Sequence, residues 1–235
     1  MPDLNISVWR SGSQNFETFL VPQQDSQTVL DVVSHIQTHL DPTLSYRFAC
    51  RVGMCGSCAM MVNGIPRWTC RTHVSKVANS GAIKIEPLRN LPVVKDLITD
   101  MDPFFDKWIE AKGVFEGTAT RSDDMRPVDT TTHQRIEANA AIECINCAVC
   151  YAACDTVSGN DRYFGPAALN RVWSLVNDEK DGGQSARLDA ISDVGGCHNC
   201  HSQGSCSLYC PNELDPAASI ASLKRRTASS FWQKR

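Results

Sequence analysis

The twelve cysteines of this 235-residue chain fall into three groups, Cys50 to Cys70, Cys144 to Cys154 and Cys197 to Cys210. Sulfur is a soft ligand, and thiolates gathered this densely suit zinc or an iron-sulfide cage far better than a hard cation. The first group reads Cys50-Arg-Val-Gly-Met-Cys55-Gly-Ser-Cys58, with Cys70 twelve positions on. C-x4-C-x2-C with a remote fourth cysteine is the spacing that wraps a 2Fe-2S cluster, because four thiolates must converge from one folded-back loop. Gly53 and Gly56 stand where such a loop has to turn tightly and aim its N–H groups at sulfur. A four-cysteine zinc site is also tetrahedral, but zinc usually sits between two short knuckles rather than on three ligands within nine residues.

Cys144, Cys147, Cys150 and Cys154 form C-x2-C-x2-C-x3-C, the run of bacterial ferredoxins, where three cysteines hold one 4Fe-4S cluster and the fourth reaches another. Asp155 takes the place of the usual proline. The last group repeats the run as Cys200, Gln203, Cys206 and Cys210-Pro211, with an amide where the second thiol belongs. Crossover pairing assigns Cys144, Cys147, Cys150 and Cys210 to one 4Fe-4S cluster and leaves Cys154, Cys200 and Cys206 for the other. Three thiolates predict a 3Fe-4S cluster, since an amide is a hard neutral donor poorly suited to iron in a sulfide cage. Cys197, in Cys197-His198-Asn199-Cys200, reads as a spare thiol; as a ligand it would make that site a second 4Fe-4S centre. His198 and His201 read as hydrogen-bonding groups rather than iron ligands.

The elements that must position these loops follow from periodicity. Ile6 and Val8, then Phe16 to Val21, predict two strands joined by the polar turn Ser11 to Asn15. From Thr28, apolar residues at Val29, Val32, Val33, Ile36 and Leu40 recur at helical spacing until Asp41-Pro42. Ala59 to Val62 and Ile83 to Ile85 add strands, with Asn63-Gly64 as a turn, so the first part is a small sheet crossed by one helix. Leu97 to Ile109 predicts a helix, and Gly113 to Thr132, rich in Gly, Thr, Asp and Pro, a connector. Beyond Ile136, cysteine loops alternate with helical stretches such as Ala167 to Val176 and Ala217 to Arg226, and strand signals are absent. Two domains are expected, residues 1–100 for the first cluster and 101–235, mainly helical, for the other two.

Composition narrows the function class. A formal charge of −3 carries no basic bias, so no nucleic-acid partner is expected. The polar start has no export signal, and a reducing compartment makes clustered cysteines metal ligands rather than disulfides. No run of about 18 apolar residues exists, so membrane association needs a partner. The basic stretch Lys224-Arg225-Arg226, with Lys234-Arg235 after Phe231-Trp232, reads as a solvated helix end suited to the helix dipole, or as a face for an anionic membrane surface.

A 2Fe-2S unit followed by a ferredoxin-like pair with one defective site resembles the iron-sulfur subunit of succinate dehydrogenase and fumarate reductase. The likeness spans nearly the whole chain and includes Arg51-Val-Gly-Met-Cys55-Gly-Ser-Cys58, Glu143-Cys144-Ile-Asn-Cys147, Phe164-Gly165-Pro166-Ala167-Ala168, and Cys210-Pro211 with Leu214-Asp215-Pro216. It implies an α+β N-terminal β-grasp ferredoxin-like domain and a mainly α-helical C-terminal ferredoxin-type domain. It also implies a relay: a flavoprotein subunit with covalent FAD oxidises succinate, and electrons pass the 2Fe-2S, 4Fe-4S and 3Fe-4S centres to quinone. The implied setting is the cytoplasmic face of the inner (plasma) membrane, held by an anchor subunit with or without heme, and His201 matches a position near the quinone. After Cys154 the sequence Asp155-Thr-Val-Ser-Gly-Asn160 lacks the family's usual proline and tryptophan pair, which is closer to menaquinone-linked fumarate reductases and leaves the direction of flux open.

Neither a nucleotide-binding glycine fingerprint nor a nucleophile-base pair is present, so dicarboxylate chemistry is expected on the partner. Two rivals stand beside this reading. One is a zinc-stabilised interaction module in which the cysteines only fold loops. The other is an iron-sulfur subunit delivering electrons to a disulfide, which usually carries further cysteine-rich C-terminal domains.

Overall fold

A computed structural model describes residues 3–233, those from 230 on by their backbone alone. Lys234, Arg235 and the side chains of Phe231 and Trp232 lie outside the described residues, so the reading of the basic end is followed only as far as Arg226. The chain forms two compact units, Met1–Met101 with Ile145–Ala153, and Asp102–Cys144 with Cys154–Arg235.

In the first unit, β1 (Asp3–Arg10) and β2 (Asn15–Pro22) form the expected antiparallel hairpin. Helix α1 (Val29–His35) starts at Thr28, whose hydroxyl and N–H exchange hydrogen bonds with Asp31 in a capping box. It continues as a π-helical turn, Ile36–Leu40, and ends at Asp41. After the first cysteine loop come β3 (Ala59–Val62), β4 (Ile65–Trp68), the short helix α2 (Val74–Val77) and β5 (Ala82–Glu86). The strand order is β2-β1-β5-β3-β4, with β1 and β5 parallel and the other pairs antiparallel. Alternate residues Leu4, Ile6 and Val8 of β1 and Ile83 and Ile85 of β5 face Val29, Val32, Val33 and Ile36 of the crossing helix, which makes the core. This is the β-grasp arrangement.

A second small ribbon pairs β6 (Val93–Lys95) with β7 (Ile98–Thr99). It corrects the helix expected from Leu97: Asp96 holds a positive φ of 48° at the ribbon's turn, and Leu97 N–H donates to Ser45 O (3.1 Å). The helix, α3 (Asp102–Glu110), starts five residues later, in the second unit. Asp96 is buried and accepts from the N–H groups of Ser11 and Ser45, both at 3.0 Å, with Arg10 Nε at 3.4 Å. One carboxylate thus fixes the hairpin turn to the segment that leads into Cys50.

Among the described residues, the second unit is helical apart from one isolated bridge, Gly117 with Asp181. Its helices are α3, α4 (His133–Ile142), α6 (Asp155–Gly159), α7 (Pro166–Val176), α8 (Gln184–Ile191), α9 (Ser205–Leu208) and α10 (Pro216–Gln233); α5 (Val149–Ala152) belongs to the first unit. Helix α7 is central, with α3, α4, α8 and α10 packed on it. Pro166 at its start needs no N–H partner, and from Pro166 to Val176 every residue but Arg171 is buried. Asn170, also buried, donates to Ala141 O (3.0 Å) and accepts from Ser219 Oγ (2.9 Å), joining α4, α7 and α10 by one amide. Arg187 on α8 is fully buried and donates to Lys112 O, Val114 O and the Asp181 carboxylate, fastening the start of the connector.

Candidate metal centres

Each cysteine loop is held open by a few residues in left-handed conformation. In the first loop these are Arg51 (φ 59°), Gly53 (φ 76°) and Gly56 (φ 70°). The turn this creates lets Val52 N–H and Met54 N–H donate to Cys50 Sγ at 3.5 and 3.2 Å. A Cβ on Gly56 would lie 2.5 Å from Cys147 Cβ, so glycine is needed there by close approach as well as by φ. Cys58 ends the loop at β3. Cys70 sits in the 3-10 turn after β4, and Thr69 Oγ1 donates to Cys58 O (2.8 Å), bringing the remote fourth thiol beside the third.

Cys55 and Cys70 are shifted in opposite directions by their surroundings. Burial first, and then the neighbouring Cys58, push the Cys70 thiol up to about 11, against the pull of the Gly53 N–H. The hydroxyl of Ser57, with the N–H of Cys50 next, lowers Cys55 to about 6. N–H and O–H groups aimed at sulfur stabilise thiolate, which is the form that binds metal. Among the described residues, no three Cys, His, Asp or Glu side chains are close enough to share a single metal ion. Thiolates of a cluster stand farther apart, because several irons lie between them.

The second group is divided between the units. Cys147 and Cys150 lie on the segment Ile145–Ala153 of the first unit, and Cys144 and Cys210 in the second. Within the second unit, Asn212 Nδ2 donates to Glu143 O (2.8 Å), tying the turn after Cys210-Pro211 to the residue before Cys144.

Cys154, Cys200 and Cys206 all belong to the second unit, and their thiols are mutual electrostatic neighbours. Burial, with Cys154 and Cys200 adding to it, raises Cys206 to about 11; burial also raises Cys154, opposed by the N–H groups of Val157 and Thr156. Ser202 N–H donates to Cys200 Sγ (3.3 Å), and Lys224 Nζ to Cys200 O (2.6 Å). Lys224 and Arg226, which donates to Asn177 Oδ1 (3.1 Å), are thus bonded within the fold, so the start of the basic stretch is not simply a solvated helix end. Tyr163, wholly buried, faces the same three sulfurs; its hydroxyl meets no partner of ordinary hydrogen-bond geometry and is directed toward the Cys200 thiol. That orphaned donor, the three thiols and the inward N–H groups fit a sulfide-rich centre.

The backbone of the last group repeats that of the second. Asn146 (φ 56°) and Ala148 (φ 60°) flank Cys147, and the helix α5 follows. Ser202 (φ 57°) and Gly204 (φ 80°) flank Gln203 in the same way, and the helix α9 follows. Gln203 therefore occupies the backbone position of Cys147, with its side chain exposed. Cys197 is fully buried, its sulfur 3.7 Å from Thr227 Oγ1, and His198 Nε2 lies 3.0 Å from the same oxygen. His201, next to Cys200, is exposed. Sequence reasoning missed Tyr163 and Lys224, which only the packing of distant segments brings to this site.

Comparison with known proteins adds to this geometry. The model of a 2Fe-2S iron-sulfur cluster binding domain matches residues 5–106, and that of a 4Fe-4S dicluster domain residues 143–215. The chain is 32% identical to the fumarate reductase iron-sulfur subunit of Haemophilus influenzae, over 98% of this chain and 95% of that one. It is 35% identical to the succinate dehydrogenase iron-sulfur subunit of Paracoccus denitrificans, over 83% of this chain and 74% of that one. A chain in the solved structure of the Mycobacterium smegmatis Sdh1 complex superposes with a TM-score of 0.87 at 25% identity, covering 98% of both chains.

Proposed function

This chain belongs to the iron-sulfur subunits of succinate dehydrogenase and fumarate reductase complexes, and from that premise we propose that its cysteines hold three clusters in series. It is an electron-transfer subunit of an oxidoreductase complex, which sets aside the zinc module and the disulfide-reducing rival. Cys50, Cys55, Cys58 and Cys70 hold a 2Fe-2S cluster; Cys144, Cys147, Cys150 and Cys210 a 4Fe-4S cluster; Cys154, Cys200 and Cys206 a 3Fe-4S cluster. Cys197, bonded to Thr227, is a structural thiol.

The observation that carries this reading is the repeated backbone: Gln203 stands where Cys147 stands, exposed, between the same left-handed neighbours. A loop built for four thiolates there offers three. Bound clusters supply one-electron carriers of graded potential. The chain's own groups fix them in place, through the Val52 and Met54 N–H groups on Cys50 and the Ser202 N–H on Cys200, and exclude water from Cys58, Cys70 and Cys206 by burial.

The partners follow from the same reading: a flavoprotein subunit with FAD that carries out the dicarboxylate chemistry, and a membrane anchor, heme-bearing or not, where quinone meets the last centre beside exposed His201. The family reading puts the chain peripherally on the cytoplasmic face, held by that anchor; no helix among the described residues is long and apolar enough to cross a membrane. A relay conducts either way, and relatives named for both directions leave succinate oxidation and fumarate reduction equally served.

Iron and labile-sulfide analysis of the intact complex, with low-temperature spin spectroscopy after poising with succinate and then dithionite, tests the proposal. Three distinct centres are expected, one of them paramagnetic when oxidised. A colourless, iron-free subunit that still binds its flavin-bearing partner would overturn it.

A further inference from the structure

We propose that the Tyr163 hydroxyl donates a hydrogen bond to a sulfur of the last centre and thereby raises that centre's affinity for its electron. The inference rests on the three-thiolate site proposed above. Tyr163 precedes the Phe164-Gly165-Pro166 stretch that opens α7, and its position is fixed from both sides. Its N–H donates to Asn160 O (3.2 Å), and Phe164 N–H donates to Gly195 O (2.8 Å). Asn160 Nδ2 reaches Asn199 Oδ1 (3.4 Å), and Asn199 Nδ2 bonds Val194 O, so residues 160–164 run along the loop that delivers Cys200.

This places a phenol ring, 0% exposed, among the sulfurs of Cys200, Cys154 and Cys206. Its oxygen meets no protein acceptor of ordinary hydrogen-bond geometry. Buried hydroxyls almost always find a partner, and the groups this one faces are thiols that become anionic on binding iron. A phenol keeps its proton at neutral pH and acts beside an anionic sulfur as the donor. The other donors near Cys200 are committed differently: Ser202 N–H to its sulfur, and Lys224 Nζ to its carbonyl oxygen.

A donor at sulfur stabilises the more negative, reduced state more than the oxidised one, so it raises the reduction potential. One electron enters, no bond forms or breaks, and the proton stays on the Tyr163 oxygen. Tyr163 is on this account a positioning residue that tunes the carrier and touches no substrate.

The test is a potentiometric titration of the intact complex, followed through the spin signal of the oxidised last centre. Tyr163→Phe removes only the hydroxyl and is expected to weaken reduction about tenfold, ~59 mV downward for one electron, with the 2Fe-2S centre unmoved. Site-specific 3-fluorotyrosine at position 163 keeps the shape, is a stronger donor, and is expected to shift the same potential upward. Should the phenylalanine variant fail to assemble, the fluorinated chain decides alone. A full spin signal whose potential moves in neither chain overturns the inference while leaving the three-iron reading intact. Absence of that signal in the unaltered complex overturns both.

Discussion

In the three-cluster proposal, a single amide decides the character of the last centre. Gln203 has the backbone setting of a ligand, since Ser202 and Gly204 reproduce the left-handed conformations of Asn146 and Ala148 around Cys147. Only the side chain differs, and an amide neither loses a proton nor bridges softly to iron. Gln203→Cys is therefore expected to supply the missing thiolate on a loop already shaped for it. The spin signal of the oxidised three-iron centre should disappear and that of a reduced four-iron centre replace it, with little change in thermal midpoint. Retention of the three-iron signal at full strength would show that the side chain points away from the iron-binding corner. At this scale the sequence was informative because cysteine spacing is a local property. Tyr163 was illegible for the opposite reason: nothing near it in sequence marks a tyrosine whose hydroxyl ends among thiols from residues 154, 200 and 206.

Elements with regular alternation were readable, and those defined by tertiary bonds were not. The hairpin, α1 and the central strands follow from period-2 and period-3.6 patterns that the core confirms. Strand β4 was missed because Pro66 interrupts a four-residue segment that pairs with β3 at one edge of the sheet. Leu97 and Ile98 looked like the start of a helix, yet Asp96 turns the chain there to bond Ser11 and Ser45. The connector shows the same dependence on distant partners. Arg187 holds it through Lys112 O and Val114 O while pairing with Asp181, both side chains fully buried. Burial alone would raise Asp181, but Arg187 and the N–H groups of Glu116 and Gly183 bring it below the ordinary carboxylate value. Arg187→Leu leaves that carboxylate buried without its cation and is expected to cost ~3–5 kcal/mol. Adding Asp181→Asn should recover part of the loss. Thermal midpoints of the two variants check this, and equal destabilisation by single and double changes would deny the coupling.

Across the whole chain, cysteine spacing predicts which loops share a ligand set but says nothing of which core each loop packs on. Ile145–Ala153 belongs to the unit of the N-terminal sheet although it follows the connector in sequence. That distinction matters for how the protein responds to losing its metal. The sheet with α1, and α7 with its helical neighbours, have apolar interiors of their own. The cysteine turns carry strained residues: Arg51, Ala148, Ser202 and Glu213 hold positive φ, at ~1–2 kcal/mol each, and Asn146 does so at less cost. Once the centres are removed ligation no longer offsets that strain, and raised thiols such as Cys70 and Cys206 return to their neutral form. Extraction of iron and sulfide under reducing conditions is therefore expected to open residues 50–58, 144–150 and 200–210 to amide hydrogen exchange by at least tenfold. Protection of β1, β5 and α7 should change far less. Uniform loss of protection over both units would instead mean that the clusters, rather than the two apolar cores, hold the fold together.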